Sequence, residues 1–469
     1  MTRATHLSLA LFGALLAAVA AVALLLPAGA PAEPAEATPP PVNGQPTTVL
    51  DDGSRAVAGE VLVGYADAEA PQTVAIPDQA DPESVAEKIE DHPGVRYAIP
   101  NYVARASGWL PDDPGLTPGR QGRKGGWTAR QWNFLPCLSL CHPGTTSSAR
   151  QSRGGMNVIR AWHNLRRAGR PGAAGVRIAV LDTGIAYRNL GRRFKRSPDL
   201  SANRFLPGYD FVQRDRLPLD LNGHGTHVAS TIGEQTDNRR GLTGIAYRSK
   251  LIPVRVMDSN GDGDTADIAA GIRWATRHEA RIITMSLNFG CGVSVPPVEE
   301  ALREAWRKGI VLVGSSGNKG SETCPSLPAT APEVISVGGT TESGCVATYS
   351  FPSAAIDIAA PGGGRDRPCP YGSRNRPIMQ VGMVARDPSW FGIETGWVGT
   401  SMAAAHVAGA AAAVIASGVL GHAPGPGKVT RRLTDTARLP SYAKDDPASG
   451  FGAGIVNLGR ATNPAVKTG

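Results

Sequence analysis

The segment Val176-Arg-Ile-Ala-Val-Leu-Asp-Thr-Gly184 gives the clearest indication of how this chain folds. Its first six residues are mostly apolar and include β-branched side chains, which predicts a strand buried on both faces. Asp182 follows at the end of that strand, where a glycine-containing turn begins. Ligands and reactive groups gather at the carboxyl ends of parallel strands. Asp182 is therefore a candidate functional residue.

Further strand patterns follow along the chain, and helical patterns separate them. The predicted strands are 251–257, 281–287 and 310–313, and the predicted helices are 298–308 and one with Ile268, Ile272 and Ala275 on a single face. Such alternation implies right-handed crossovers and a mostly parallel sheet that helices cover on both faces. The pattern alone therefore predicts an α/β fold.

Length and composition exclude several classes of protein. The chain has 469 residues, of which 41% are hydrophobic and 19% charged, so it can bury a large core and is unlike a disordered chain. Its 57 glycines and 38 prolines follow no collagen-like period and indicate many tight turns. The net charge of +8 comes mostly from scattered basic residues without interleaved aromatic residues. Nucleic acid is therefore not an expected partner.

The N-terminus has the pattern of an export signal. Arg3 and His6 precede an apolar run at 7–26, and small residues follow with A-x-A sites that end at Ala32 or Ala37. We assign residues 1–32 to a signal peptide, which predicts a secreted protein with no stable membrane insertion after cleavage. The alternative is an uncleaved membrane anchor, because the apolar run is about long enough to span a bilayer.

Three segments carry residues suited to hydrolysis by an activated alcohol. Asp182 ends the first strand, Asn222-Gly-His-Gly-Thr-His-Val-Ala229 places His224 at a helix start, and Gly399-Thr-Ser-Met-Ala403 places Ser401 at the start of an Ala-rich helix. A serine nucleophile needs an imidazole to take its proton and a carboxylate to orient the imidazole. The chain order Asp, His, Ser is one of the known orders of such triads.

Together these segments resemble the motifs of the subtilases, the subtilisin-like serine peptidases, over roughly residues 131–461. A fourth segment, Gly314-Ser-Ser-Gly-Asn-Lys-Gly320, is similar to the oxyanion segment of that family. The resemblance implies that Ser401 is the nucleophile, His224 the general base and Asp182 its orienting carboxylate. It also implies that Asn318 donates a hydrogen bond to the oxyanion.

The resemblance further implies an architecture and a route of synthesis. The peptidase domain, assigned to 107–469, is expected to be a three-layer sandwich around a mostly parallel sheet. The unit before it resembles the family's propeptide, so 33–106 is assigned to a linker and a small α+β propeptide domain. Its predicted elements are a strand at 59–65, a helix at 81–91 and a strand at 95–103. Such a propeptide inhibits the enzyme intramolecularly and is removed by self-cleavage, here between about Val103 and Arg130. An ordinary appended module is the alternative.

Two features depart from the family pattern. Ala405 stands where the family usually has proline, and Ser286-Leu-Asn-Phe-Gly290 has bulk where it often has two glycines. In the family those glycines line the primary specificity pocket, so the second departure leaves open which substrate side chain fits that pocket. His227 and His406 also lie in motif segments, and the resemblance gives them a role in supporting the fold rather than in catalysis.

The predicted chemistry requires no cofactor, and a structural calcium ion stays open. Thr236-Asp-Asn-Arg-Arg-Gly-Leu242 is similar to a calcium-binding loop of many subtilases, in which Asp237 and Asn238 would supply oxygens and the two arginines weigh against tight binding. The stretch from Asp258 begins like an EF-hand loop but lacks glutamate at the twelfth position.

By resemblance, that stretch is instead the edge that pairs with an extended substrate. Asp262 and Asp264 would lie on its rim, where two carboxylates favour arginine or lysine two or four residues before the scissile bond. The competing interpretation is that both carboxylates point to solvent or bind a cation.

The six cysteines are expected to form disulfides, because the chain is exported and has no C-x-x-C pair typical of a zinc site. Cys291 and Cys324 each follow a predicted strand, at neighbouring carboxyl ends where loops meet, so we pair them. The other predicted pairs are Cys345 with Cys369 and Cys137 with Cys141.

The leading hypothesis is a secreted serine endopeptidase that acts on protein or peptide substrates through an acyl-enzyme. A catalytically silent binding protein on the same fold is the alternative, although all four chemical groups are present. An α/β-hydrolase esterase needs a G-x-S-x-G elbow. The segment around Ser401 reads Gly-Thr-Ser-Met-Ala, which excludes that class.

Overall fold

A computed structural model describes most of the chain after the predicted signal peptide. The described residues are 45–50, 55–66, 68, 70–103, 109–120, 122–137, 151–320, 326–371, 374–444, 446 and 448–468. They form two compact units, one within 45–103 and one from 109 onwards. The predicted signal peptide lies outside the described residues.

The first unit is an antiparallel sheet with one helix. Its elements are β1 (Thr47–Val49), β2 (Arg55–Tyr65), β3 (Gln72–Ala75), α1 (Pro82–Glu90) and β4 (Val95–Tyr102). The other three strands all pair with β2. Val61 and Val63 of β2 pack with Val85 and Ile89 of α1 in one buried cluster. The helix and both strands predicted here are confirmed, and β1 and β3 were not predicted.

The second unit is built on seven parallel strands. They are β5 (Arg177–Asp182), β6 (Tyr209–Asp210), β7 (Lys250–Arg255), β8 (Ile282–Met285), β9 (Val311–Ser315), β10 (Val334–Thr340) and β11 (Ile358–Pro361). Their order across the sheet is β11-β10-β9-β8-β5-β7-β6, and every neighbouring pair is parallel. An antiparallel hairpin follows, with strands β12 (Gln380–Met383) and β13 (Phe391–Glu394).

Helices cover both faces of the parallel sheet. They are α2 (Val158–Arg167), α3 (His224–Gly233), α4 (Thr265–Arg277), α5 (Pro296–Arg307), α6 (Thr400–Ser417), α7 (Pro426–Asp435) and α8 (Leu458–Ala461). Successive side chains of a strand point to opposite faces. Accordingly, Ile178 and Val180 of β5 join the core that contains α3 and α6, whereas Ala179 and Leu181 join the core of α4 and α5. The predicted α/β three-layer sandwich is confirmed.

Helix α6 runs through the core beneath the site. Every residue from Thr400 to Val414 is buried. The helix is long and apolar enough to cross a membrane, but 83% of it is buried inside the fold. Its many alanines bring the helix close to the sheet. Ala405 lies within an unbroken helix, so the departure from the family's proline does not disturb it.

The structure contains the predicted disulfide between Cys345 and Cys369. Cys137 and Cys291 are also disulfide-bonded. The partners that we predict for them, Cys141 and Cys324, lie outside the described residues.

Candidate active site

Asp182 and His224 meet at the carboxyl end of the parallel sheet. Asp182 is the last residue of β5 and is fully buried, and His224 is the first residue of α3. Oδ1 of Asp182 lies 2.7 Å from Nδ1 of His224. A carboxylate at this position keeps the imidazole hydrogen on Nδ1, so Nε2 is left to accept a proton.

Two glycines permit this close approach. Gly223, at the N-cap of α3, has a φ of 100° in the region that favours glycine. A Cβ on Gly225 would lie 2.2 Å from the carbonyl oxygen of Gly184 and 3.0 Å from Oδ1 of Asp182. Glycine is therefore needed on both sides of His224, because α3 contacts the end of β5 there.

Asp220 builds the loop that leads into α3, and the sequence analysis missed it. Its buried carboxylate accepts hydrogen bonds from the backbone of Asn222, Gly223 and Thr226 and from the hydroxyls of Thr183 and Thr226. Burial raises the pKa of this carboxyl, although the hydrogen bonds lower it. The available signal was an aspartate four residues before a helix start, within reach of N–H groups that the helix leaves unpaired.

The charges around His224 favour the protonated form of its imidazole more than water does. Burial lowers the pKa of the imidazole, but the charge of Asp182, its hydrogen bond and the charge of Asp220 outweigh burial and raise it above 6.5. The ring of Trp397 packs edge-on against the imidazole at 5.4 Å between centroids. Sequence reasoning did not identify Trp397 either.

Ser401 is the second residue of α6, and its side chain is 8% exposed. Its hydroxyl donates to the carbonyl oxygen of Ser286 at 3.4 Å, and the hydroxyl of Ser286 donates to the carbonyl oxygen of Ser401 at 3.0 Å. Ser286 directly follows β8, the strand next to β5. Among the described residues, no hydrogen bond joins Ser401 to His224. Such bonds often form or tighten only with substrate present.

Asn318 is fixed against the residue before Ser401. Its Oδ1 accepts hydrogen bonds from the backbone N–H of Thr400 at 2.8 Å and from the Thr400 hydroxyl at 3.0 Å. Because a backbone N–H can only donate, this contact assigns Oδ1, and Nδ2 remains as a donor. Asn318 is exposed, so this donor is accessible to a ligand.

His227 and His406 lie outside this arrangement. Nε2 of His227 lies 3.1 Å from the carbonyl oxygen of Ile378, and Nδ1 of His406 lies 2.7 Å from that of Met402. Burial lowers the pKa of His227 to about 3 and that of His406 to about 4. Both imidazoles are neutral parts of the core at physiological pH.

Two of the residues expected near the substrate also make hydrogen bonds within the fold. Asn288 donates to the carbonyl oxygen of Ser315 at 2.5 Å and accepts from its hydroxyl at 3.2 Å, which ties the segment after β8 to β9. Asp264 is the N-cap of α4 and accepts from the backbone N–H of Asp267 at 2.8 Å. Oδ1 of this carboxylate therefore caps a helix, while the residue itself is exposed. Asp262 is exposed.

The loop at 236–242 contacts two buried carboxylates. Asp113 accepts from the backbone of Asp237 at 2.8 Å and of Asn238 at 3.0 Å. Asp199 accepts from Nδ2 of Asn238 at 2.8 Å and from the backbone of Leu242 at 3.0 Å. Burial raises the pKa of Asp113 to about 6 and that of Asp199 to about 8, and the charge of Asp113 contributes to the second shift.

The side-chain oxygens of Asp237 and Asn238 accept hydrogen bonds from other groups. Asp237 accepts from the Trp109 indole and the Asp112 backbone, and Asn238 accepts from the Arg240 backbone. In the part of the chain that the structure describes, no group of three or more His, Cys, Asp or Glu side chains is arranged to hold a metal.

Comparison with known proteins gives the class of this arrangement. Residues 173–454 match the model of the subtilase family. The chain therefore belongs to the subtilase family, a family of serine peptidases.

Individual relatives agree with this assignment. The chain is 31% identical over 336 residues to the thermophilic serine proteinase of Bacillus sp. strain AK1, covering 72% of this chain and 67% of that protein. It is 30% identical over 428 residues to an extracellular protease of Xanthomonas campestris pv. campestris, covering 83% of this chain and 63% of the relative. A solved protease structure from Pseudoalteromonas arctica PAMC 21717 is 30% identical with a TM-score of 0.53, covering 66% of this chain and 94% of the other.

The two buried histidines predict how stability depends on pH. In the folded protein the imidazole of His406 stays neutral down to about pH 4, and that of His227 down to about pH 3. In the unfolded chain both titrate near pH 6.5. The unfolded state therefore binds more protons between pH 6.5 and 4, and the free energy of unfolding falls as the pH is lowered through that window. For His406 the loss is about 3 kcal/mol at pH 4.

Denaturant titrations from pH 4 to 8 measure this effect. His406→Gln should show a shallower decline than wild type, and the exposed His422→Gln should behave like wild type. Comparing these variants separates the imidazole from the carboxyls that titrate in the same range. An unchanged decline in His406→Gln would contradict the assignment of a neutral buried imidazole.

Proposed function

We propose that this protein is a secreted serine endopeptidase that hydrolyses peptide bonds through an acyl-enzyme formed on Ser401. The observation that carries the proposal is the 2.7 Å hydrogen bond between Asp182 and His224. The start of α6 and the segment with Asn318 lie at the same end of the sheet, where Ser286 contacts Ser401 and Asn318 contacts Thr400. Family membership supports the same chemistry.

In the proposed first step, the Ser401 oxygen attacks the substrate carbonyl carbon while Nε2 of His224 takes the hydroxyl proton. Asp182 holds the ring and stabilises the imidazolium that forms. The carbonyl oxygen becomes an oxyanion, which accepts hydrogen bonds from the Ser401 backbone N–H and from Nδ2 of Asn318. The C–N bond then breaks, and His224 returns the proton to the leaving amine. Water hydrolyses the ester by the same steps.

Removal of Ser401 or Asn318 tests this mechanism. Ser401→Ala should lower kcat on a peptide substrate by about 10⁶-fold, because it removes the nucleophile. Asn318→Ala should lower kcat by about 10²- to 10³-fold with little change in KM, because the amide binds charge that develops only in the transition state. Exposed Lys428→Ala is the matched control and should retain wild-type kinetics. Full activity in Ser401→Ala would refute the proposal, and an inactive wild type would favour the silent binding protein.

The proposed route of synthesis begins with an exported precursor. Residues 1–32 would direct secretion, and one matched relative is named an extracellular protease. The folded unit within 45–103 would be the propeptide, which inhibits the peptidase until self-cleavage in the segment before residue 130. The boundary between the two units falls between residues 103 and 109, inside the stretch predicted for self-cleavage, and cleavage there would leave Asp113 in the mature protein. A segment that joins two folded units is typically open to proteases.

Self-cleavage predicts different products from wild type and from Ser401→Ala. In a protease-deficient host, Ser401→Ala should accumulate as a precursor that lacks only the signal peptide. Wild type should lose about another 70–100 residues, since the connection is the accessible site. N-terminal sequencing and intact mass measure both products. Identical processing of the two proteins would overturn the autocatalytic route.

We also propose a structural calcium ion at Asp113 and Asp199. Both carboxylates are buried, repel each other and have raised pKa values, so a divalent cation would supply the missing charge. Carboxylate oxygens suit calcium, and the ion would displace N–H groups that the 236–242 loop donates to these two carboxylates. The ion would have no part in the peptide hydrolysis itself.

Calcium should raise the melting temperature, and the stabilisation should amount to about 3 kcal/mol at a hundredfold excess over its dissociation constant. Binding should tighten between pH 6 and 8, because Asp199 must release its proton to bind the ion. Scanning calorimetry with calcium or EDTA at both pH values measures this. Asp113→Asn combined with Asp199→Asn should remove the response, and an equal response in that variant would place calcium elsewhere.

A further inference from the structure

A strongly basic loop lies close to the candidate active site, and the proposed mechanism does not use it. The loop spans residues 187–196. Residues 183–198 contain no acidic side chain and five cations, which are Arg188, Arg192, Arg193, Lys195 and Arg196. All are exposed except Arg196, which is half-buried. No salt bridge to them occurs among the described residues.

Backbone hydrogen bonds hold the basic loop in a defined shape. Leu190 and Phe194 exchange both of their backbone hydrogen bonds, at 3.0 and 3.2 Å, and close a tight turn. The side chain of Asn189 accepts from the backbone of Arg196 at 2.9 Å. Because the backbone is fixed in this way, the cationic side chains project from a preformed surface, which lowers the entropy cost of binding.

Both ends of the basic loop are tied to the residues around His224. Ala186 donates its N–H to the hydroxyl of Thr226, two residues beyond His224, at 3.0 Å. Ser197 donates in turn to the carbonyl oxygen of Ala186 at 2.8 Å. The loop therefore leaves and returns at the first turn of α3.

The hairpin of β12 and β13 forms a second connection. Met383, at the end of β12, lies against Gly223, where a Cβ on the glycine would be 3.6 Å from Cβ of Met383. At the hairpin tip, the carbonyl oxygen of Pro388 accepts from the backbone of Lys195 at 2.8 Å. The tip adds exposed Arg386 and Trp390, whose side chain is 58% exposed, and one acidic residue, Asp387.

Reaction chemistry relates this surface to one side of the substrate. In the proposed mechanism, His224 gives its proton to the amine that leaves, so the chain on the leaving side of the scissile bond extends past His224. The basic loop and the hairpin tip are both tied to the residues around His224, so we infer that they lie along this path. The loop and the hairpin tip carry six cations and one carboxylate between them, and the charges of Asp215 and Asp210 also reach Tyr187 at the start of the loop. The excess of positive charge attracts and orients negative charge.

We propose that the basic loop, together with Arg386, recognises acidic residues of a protein substrate on the C-terminal side of the scissile bond. The proposal rests on the proposed peptidase function and adds a substrate class to it. Exposed cations of this kind each change an equilibrium by about 1.5- to 5-fold, and salt weakens them.

Two fluorogenic peptides test the proposal. They share all residues up to the second one after the scissile bond and then carry either four glutamates or four glutamines. At low salt, wild type should cleave the glutamate peptide about tenfold more efficiently, mainly through KM, and 0.5 M NaCl should remove most of the difference. Arg192→Gln, Arg193→Gln and Lys195→Gln combined remove half of the six cations, so this variant should lose most of the preference for glutamate and should cleave the glutamine peptide as wild type does.

A matched control has the same loss of charge on distant helices. Arg277→Gln, Arg307→Gln and Lys428→Gln combined should keep the glutamate preference, because these exposed side chains lie on α4, α5 and α7. A wild type without preference, or an undiminished preference in the basic-loop variant, would overturn the proposal.

Binding to wild type treated with a small sulfonyl fluoride, which blocks a reactive Ser401 after self-processing, separates this proposal from the peptidase function. Fluorescence anisotropy should show tighter binding of the glutamate peptide than of the glutamine peptide, and the basic-loop changes should remove most of the difference. That result supports acidic recognition even if wild type cleaves neither peptide, which would refute the peptidase function alone. Equal binding of the two peptides, with loop-dependent binding of a DNA oligonucleotide or of phosphatidylserine vesicles, would assign the loop to another polyanion.

Discussion

The hydrogen bond between Asp182 and His224 joins strand β5 to the first turn of α3, and the arrangement of the site depends on it. A carboxylate buried at the end of a strand is stable only when hydrogen bonds compensate for lost hydration. The backbone of Thr183 supplies one such bond to Asp182 at 2.8 Å. The imidazole supplies another to the same oxygen, Oδ1, and Gly223 and Gly225 allow α3 to come near enough. Oδ2 is buried without a hydrogen-bond partner among the described residues.

Buried carboxylates shift pKa values at two places in this fold. Asp182 faces the imidazole of His224 and raises the pKa of that ring. One proton lies between the carboxylate and Nδ1, and Nε2 is basic enough to accept a second proton from a hydroxyl. Asp113 and Asp199 face N–H dipoles and each other, and their own pKa values rise instead. One physical penalty therefore produces a proton acceptor in one place and a region suited to a cation in another.

Local signals made much of the fold and of the site predictable. The apolar run before Asp182 and the glycines around His224 are constraints that neighbouring residues impose on the backbone, so they are visible in sequence. β10 and β11 were missed because they depend on pairing between segments that are apart in sequence, and the β12–β13 hairpin was missed although its two strands are neighbours in sequence. Asp220 and the helix-capping role of Asp264 were missed although an aspartate just before a helix start is a local signal. Trp397 was missed because its contact with His224 joins segments that are distant in sequence.

The most direct test of the central claim is labelling by a fluorophosphonate probe, which reacts with a serine that a neighbouring base activates. Peptide mass spectrometry of the labelled mature protein should find one modified residue, Ser401. Asp182→Asn should slow labelling by orders of magnitude, about 10⁴-fold by analogy with the loss when an orienting carboxylate is replaced in other triads. Absence of labelling, modification of a different serine, or an unchanged rate in Asp182→Asn would contradict the claim that the Asp182–His224 pair activates Ser401.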